Sequence, residues 1–110
     1  MNRTGLEVDI LTFARARSDG DAVVIDVRQP SEYAGGHVPG ARLIPLASLP
    51  TAVHEIPRGR PVYVICASGG RSLAAARALV GAGIDAVSVA GGTQAWMAAG
   101  NPVLYVPRAA

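Results

Sequence analysis

The sequence predicts an α/β fold, a parallel sheet covered by helices, and three observations carry that prediction. Ala22-Val23-Val24-Ile25-Asp26-Val27 and Val62-Tyr63-Val64-Ile65 are short, nearly continuous apolar runs rich in β-branching, the pattern of strands covered on both faces. Segments of helical composition alternate with such runs, as in the Ala/Leu/Arg stretch after Ser72. Glycine pairs, Gly69-Gly70 and Gly91-Gly92, stand where strand must turn into helix.

Taken in order, Leu6-Glu7-Val8 suits a short edge strand, and Asp9 is placed to cap the helix that follows. Ile10, Phe13, Ala14 and Arg17 share one face of that helix, and Ser18-Asp19-Gly20 stops it. After the strand at 22–27, Pro30 opens a helical turn that Gly35-Gly36 closes, with Arg28 and Glu32 four apart and spaced to pair. Ala41-Arg42-Leu43-Ile44 forms a short strand ended by Pro45, and Ser48 is expected to cap a brief helix running to His54. Residues 57–61 lead into the central strand at 62–65. Ser72 is the expected cap of a helix over 73–82, with an apolar stripe of Leu73, Ala76, Leu79 and Val80, Arg77 outward and Gly83 as the stop. Residues 86–90 make the last core strand, and Gly91-Gly92 turns into a helix over 93–99 that carries Trp96. Residues 104–110 are expected to pack along an edge or to fray.

At 110 residues the chain is one domain, able to bury on the order of two thirds of its unfolded surface. Half the residues are hydrophobic, yet no apolar run approaches the ~18 that span a membrane, and the N-terminus lacks a signal-peptide core. A soluble, cytoplasmic protein with no membrane partner is the expectation. One cysteine excludes an internal disulfide and a multi-cysteine metal site. All ten basic residues are arginine, and the net charge of +2 is spread without a basic cluster, which argues against nucleic-acid binding.

Chemistry concentrates where the central strand ends. Cys66 opens the turn Cys66-Ala67-Ser68-Gly69-Gly70-Arg71-Ser72, between a strand and a helix N-terminus. Such a turn makes a cradle of backbone N–H groups at the positive end of a helix dipole. A thiol placed there has its thiolate favoured, so its pKa falls and its nucleophilicity near neutral pH rises. Arg71 adds a fixed charge able to hold an oxyanion. The stretch reads as an anion-binding nucleophile site with Cys66 as the nucleophile and residues 67–72 as the cradle. A merely structural cysteine has no need of two glycines, an arginine and a serine in its next six residues.

Other polar residues have plainer readings. Asp26, at a strand's C-terminal end, is expected to tie down loop amides rather than act as a base. His37 reads as a hydrogen-bonded spacer, His54 as a solvated side chain, and Tyr33 and Trp96 as packing residues.

The Cys-x-x-x-x-Arg loop resembles the active loop of the rhodanese (sulfurtransferase) family. Asp26-Val27-Arg28, then Glu32-Tyr33, then Gly36-His37-Val38-Pro39-Gly40-Ala41 resembles a second signature of that family, a structural motif that also walls one side of the active-site entrance. Gly91-Gly92, Trp96 and Gly100-Asn101-Pro102 resemble its C-terminal signature. The three lie in the family's order and cover about residues 6–103, so the resemblance identifies a single-domain rhodanese. It implies a three-layer α/β/α fold around a small, mostly parallel five-stranded sheet. It also implies sulfur transfer from thiosulfate or a related donor to cyanide or a thiol through a persulfide on Cys66, with no metal or organic cofactor. Asp26, Arg28, Glu32, His37 and Trp96 become candidate pocket-wall or supporting residues. A sulfur-acceptor protein is a further candidate partner, and a monomer or weak homodimer is expected. Ala67 and Ser68 are uncharged where tandem-domain thiosulfate enzymes carry basic residues, and Ala67-Ser68-Gly69 is nearer the Gly-Ser-Gly of the mercaptopyruvate branch. Two rival classes share the fold. Dual-specificity phosphatases and arsenate reductases carry one more residue between Cys and Arg, and non-catalytic rhodanese-like modules often lose the cysteine.

Overall fold

The computed structural model describes residues 5–107. Its elements run β1 (Glu7–Val8), α1 (Ile10–Ser18), β2 (Val23–Asp26), α2 (Pro30–Ala34), β3 (Arg42–Leu43), α3 (Leu49–Ala52), β4 (Val62–Ile65), α4 (Gly70–Gly81), β5 (Ala86–Val89) and α5 (Gly92–Ala98), with single 3₁₀ turns on either side of α3. The strands form one sheet in the order β1-β5-β4-β2-β3, every pair parallel. Asp9 caps α1 as expected, its carboxylate accepting from Thr12 N at 2.7 Å.

Side chains alternate across this sheet and divide the core in two. Ile25, Val27, Val62, Val64 and Cys66 face α3 and α4, where Leu49, Ala75, Ala76 and Leu79 cover them. Val8, Val24, Ile65, Val87 and Val89 face the other way, against Phe13 of α1 and Trp96 of α5. Trp96 meets Phe13 edge-on at 5.5 Å between ring centroids and donates its indole N–H to Pro102 O at 2.7 Å. Large side chains buried this fully each contribute about 1.5–3 kcal/mol, so two facing layers anchor a small sheet.

Several expectations change. Ser72 does not cap α4. The helix begins at Gly70 behind Gly69, whose φ of +114° makes the turn by itself, and Gly70 is already helical. Starting earlier rotates the buried stripe to Ser72, Ala75, Ala76 and Leu79, which leaves Val80 43 % exposed. Arg28 does not pair with Glu32. Because α2 starts at Pro30, Arg28 lies outside the helix and the i,i+4 geometry does not exist. Ser48 makes no side-chain cap, and the helix beside it is a four-residue piece between 3₁₀ turns. The tail packs rather than frays up to the last described residues: His37 and Leu104 exchange two backbone hydrogen bonds of 2.9 Å, and Val106 N donates to Ala34 O at 3.1 Å. Residues 108–110 lie outside the described residues.

The strand order positions the site. From β2 the chain passes outward to β3, and from β4 it passes the opposite way to β5. The loops after β2 and β4 therefore diverge and leave a crevice at the C-terminal ends of neighbouring strands. Arg28 follows one strand and Cys66 the other.

Candidate active site

Cys66 follows β4 at that switch point in strand order, 1 % exposed. Gly69 N donates to its Sγ at 3.1 Å, and the Ser72 hydroxyl lies 3.4 Å from the sulfur. Burial pushes the thiol pKa up, but the Ser72 hydroxyl and the amides of Ser72, Gly69 and Ser68 outweigh it and hold the pKa below the usual thiol value. The Gly69 amide and the Ser72 hydroxyl, both within hydrogen-bonding distance of the sulfur, make an electrostatic cradle in place before any ligand arrives.

Neighbouring elements hold the loop. At the start of α5, Thr93 N and Thr93 Oγ1 donate to Cys66 O at 2.8 and 3.0 Å, and Gln94 N donates to Ala67 O at 3.0 Å. This approach requires glycine at position 92: a Cβ there would lie 2.5 Å from Cys66 O and 2.7 Å from Ala67 C, and the φ is +58°. The last glycine pair thus brings a second loop onto the cysteine.

Arg71 turns toward α2. Its Nη1 and Nη2 donate to Glu32 Oε1 and Oε2, both at 2.8 Å. Glu32 Oε1 also accepts from Gln29 N at 2.9 Å, and these contacts, Arg71 foremost, lower the Glu32 pKa to about 2. The Glu32 hydrogen bond raises the Arg71 pKa in turn, and the charge of Cys66 adds to that rise. Asp26 and Arg28, both buried, form a second pair. Arg28 Nη2 donates to Asp26 Oδ2 and to Gly36 O at 2.8 Å each, and Asp26 Oδ1 accepts Arg28 N at 3.0 Å. Asp26 does tie down a loop amide. His37 stacks on Tyr33 at 3.7 Å with Nδ1 2.9 Å from Tyr33 O, a spacer that also anchors the tail. Trp96 lies on the opposite face of the sheet from Cys66 and reaches the site only through α5. His54 stays solvated, with its side chain 75 % exposed.

Two participants escaped the sequence reading. Thr93 follows a glycine pair in a helix's first turn, a position that favours hydroxyl contacts with nearby backbone. Ser88 is the one polar residue inside β5, and a hydroxyl in a strand covered on both faces must have a partner. That partner is Ser72 Oγ, at 2.7 Å. No buried side-chain nitrogen or oxygen among the described residues lacks one.

The sequence pattern of the rhodanese-like domain matches residues 11–99. The chain belongs to the rhodanese-like family. A sulfurtransferase of Allochromatium vinosum is 34% identical over 100 residues, covering 89% of this chain and 94% of that protein. A Bacillus subtilis protein, YqhL, is 42% identical over 76 residues, 68% of this chain and 60% of its own length. A rhodanese-related protein from Thermoplasma volcanium superposes with a TM-score of 0.81 at 31% identity, covering 92% of this chain and 98% of that one. The thiosulfate sulfurtransferase of Pseudomonas aeruginosa gives a TM-score of 0.77 at 29% identity, with 92% of this chain matched but only 20% of that chain. The rhodanese fold is thus present in full, with five parallel strands between two helical layers. No helix of the described residues is long and apolar enough to cross a membrane.

Proposed function

We propose that this rhodanese-like chain is a sulfurtransferase that takes a sulfane sulfur from thiosulfate onto Cys66 and passes it to cyanide or a thiol. The observation that carries the reading is a buried thiol at a helix N-terminus with the Gly69 amide and the Ser72 hydroxyl on its sulfur, contacts that lower its pKa. The Cys66 thiolate attacks the outer sulfur of thiosulfate. The donor's S–S bond breaks, sulfite leaves with the electron pair, and the persulfide carries its charge on the outer sulfur. Cyanide, or a thiolate, then attacks that outer sulfur, and Cys66 departs as thiolate.

In this reading residues 67–72 hold the donor. Glu32 occupies one N–H on each terminal nitrogen of Arg71 and leaves three of the five guanidinium N–H groups for the sulfonate. The names of two relatives support the chemistry: the Allochromatium protein is called a sulfurtransferase and the Pseudomonas protein a thiosulfate sulfurtransferase. A reducing cytoplasm suits a lone thiol of this kind, and the acceptor thiol is either a small molecule or a cysteine of a partner protein.

The test is intact mass. Thiosulfate adds one sulfur atom to the native chain, cyanide removes it as thiocyanate, and Cys66→Ser shows neither event. Loading that survives in Cys66→Ser, or aryl phosphate turnover comparable to sulfur transfer, overturns the proposal.

A further inference from the structure

Two fully buried hydroxyls stand in line behind the sulfur. Ser72 Oγ lies 3.4 Å from Cys66 Sγ, 3.2 Å from Gly69 O and 2.7 Å from Ser88 Oγ. Among the described residues, Ser88 Oγ reaches Ser72 Oγ and, at 3.5 Å, Gly69 O. Each hydroxyl has one proton to give, so the arrangement of neighbours allows two directions of donation. We propose that Ser88 is a positioning residue for the sulfur site: acting through Ser72, it aims a two-hydroxyl chain at Cys66 Sγ whenever that sulfur carries the negative charge.

The direction follows from where the charge is. Against a thiolate, the strongest acceptor within reach of Ser72 is Sγ, and Ser72 donates there. Ser88 then donates to Ser72 Oγ across the short 2.7 Å contact. A donor behind a donor strengthens the front bond, by about 10–30%. Gly69 O can release both hydroxyls because it also accepts from Leu73 N at 3.1 Å. In a persulfide the charge moves to the outer sulfur, Sγ becomes a weak acceptor, and the Ser72 proton turns to Gly69 O at 3.2 Å. The chain thus favours Sγ as thiolate over Sγ in an S–S bond. Thiolates of lower pKa leave faster, so the pair assists discharge of the persulfide. That last step rests on the function proposed above, whereas the aiming of Ser72 does not.

The test titrates the thiolate by its ultraviolet absorbance, with Cys66→Ser as the blank, in the native protein, Ser72→Ala, Ser88→Ala and the double variant. Arg71 of α4, Glu32 of α2 and the Asp26–Arg28 pair at the end of β2, the charged groups around the sulfur, are unchanged in all of them. Ser72→Ala raises the midpoint, Ser88→Ala raises it by about half a unit, and the double variant matches Ser72→Ala because Ser88 acts on the sulfur through Ser72. Ser88→Thr, which keeps the hydroxyl, restores the native midpoint and separates hydrogen bonding from packing. In single-turnover discharge of isolated persulfide to cyanide, Ser88→Ala is slower by a few-fold. A native midpoint in Ser88→Ala, or a double variant whose shift is the sum of the single ones, overturns the proposal. Failure of thiosulfate to load the native protein leaves the titration intact and counts only against the function.

Discussion

Glu32 and Arg71, 39 residues apart in the chain, meet with both carboxylate oxygens against both terminal guanidinium nitrogens at 2.8 Å. One follows β2 and the other follows β4, so the pair bridges the crevice that the strand order opens. It fixes the guanidinium within the cysteine loop and uses one N–H of each terminal nitrogen.

A bidentate fork holds an oxyanion in a way that a point charge does not. Arg71→Ala should therefore lower kcat/KM for thiosulfate by about one to two orders of magnitude, the loss of a charge-assisted contact of roughly 1.5–3 kcal/mol. Arg71→Lys should recover only part of it. Thermal unfolding should move little, since both side chains are about a third exposed, at 38% and 33%, and such pairs stabilise weakly. Full activity in Arg71→Ala would show that amides alone bind the donor.

The same pair sets an acid limit. Glu32 has its pKa lowered from 4.5 to about 2 by its hydrogen bonds with Arg71 and the Gln29 amide. A depressed carboxylate contributes stability that is fully present above its unfolded pKa and is lost as pH falls through its folded one. The contribution should fade between pH 4.5 and about 2. In denaturant titrations at stepped pH, Glu32→Gln should lose less stability than the native protein over that window. Parallel acid curves would place the titrating groups elsewhere.

Gly92→Ala should damage fold and site together. Left-handed backbone costs a side-chain-bearing residue roughly 1–2 kcal/mol, and the added Cβ would also overlap the backbone of Cys66 and Ala67. Gly40→Ala is the control, because Gly40 has a φ of +87° but nothing within 4 Å of its Cβ position. A destabilisation of 1 kcal/mol lowers Tm by about 4–8 °C in a domain near this size, so Gly92→Ala should fall beyond that and well below Gly40→Ala in both Tm and sulfur transfer. Equal losses in the two variants would mean that the α5 loop yields to the extra atom.

The cysteine count sets the kinetic order. On the proposed function, with no second thiol in the chain, the persulfide waits for an external acceptor after sulfite has gone. Reciprocal plots against thiosulfate at several fixed acceptor concentrations should give parallel lines, and isolated persulfide should react in one turnover with acceptor alone. Converging lines with no isolable persulfide would mean that donor and acceptor bind together.

What the sequence determined by itself was local. Alternating apolar runs and glycine turns specified strands, helices and the loop that puts Cys66 at a helix N-terminus, because each rests on neighbours a few residues apart. The tertiary structure decided the partners. Arg28 looked spaced for Glu32, but Pro30 starts the helix too late for that pairing, so Arg28 folds back onto Asp26 and Glu32 is left to reach Arg71. Ser72 looked like a cap, yet a helix that starts at Gly70 turns its hydroxyl inward to the sulfur and to Ser88, 16 residues away. The Glu32–Arg71 and Ser72–Ser88 pairings exist because β4 lies between β5 and β2 in the sheet. Strand order is set by how two helical layers cover one sheet, a balance over the whole chain that no local pattern contains.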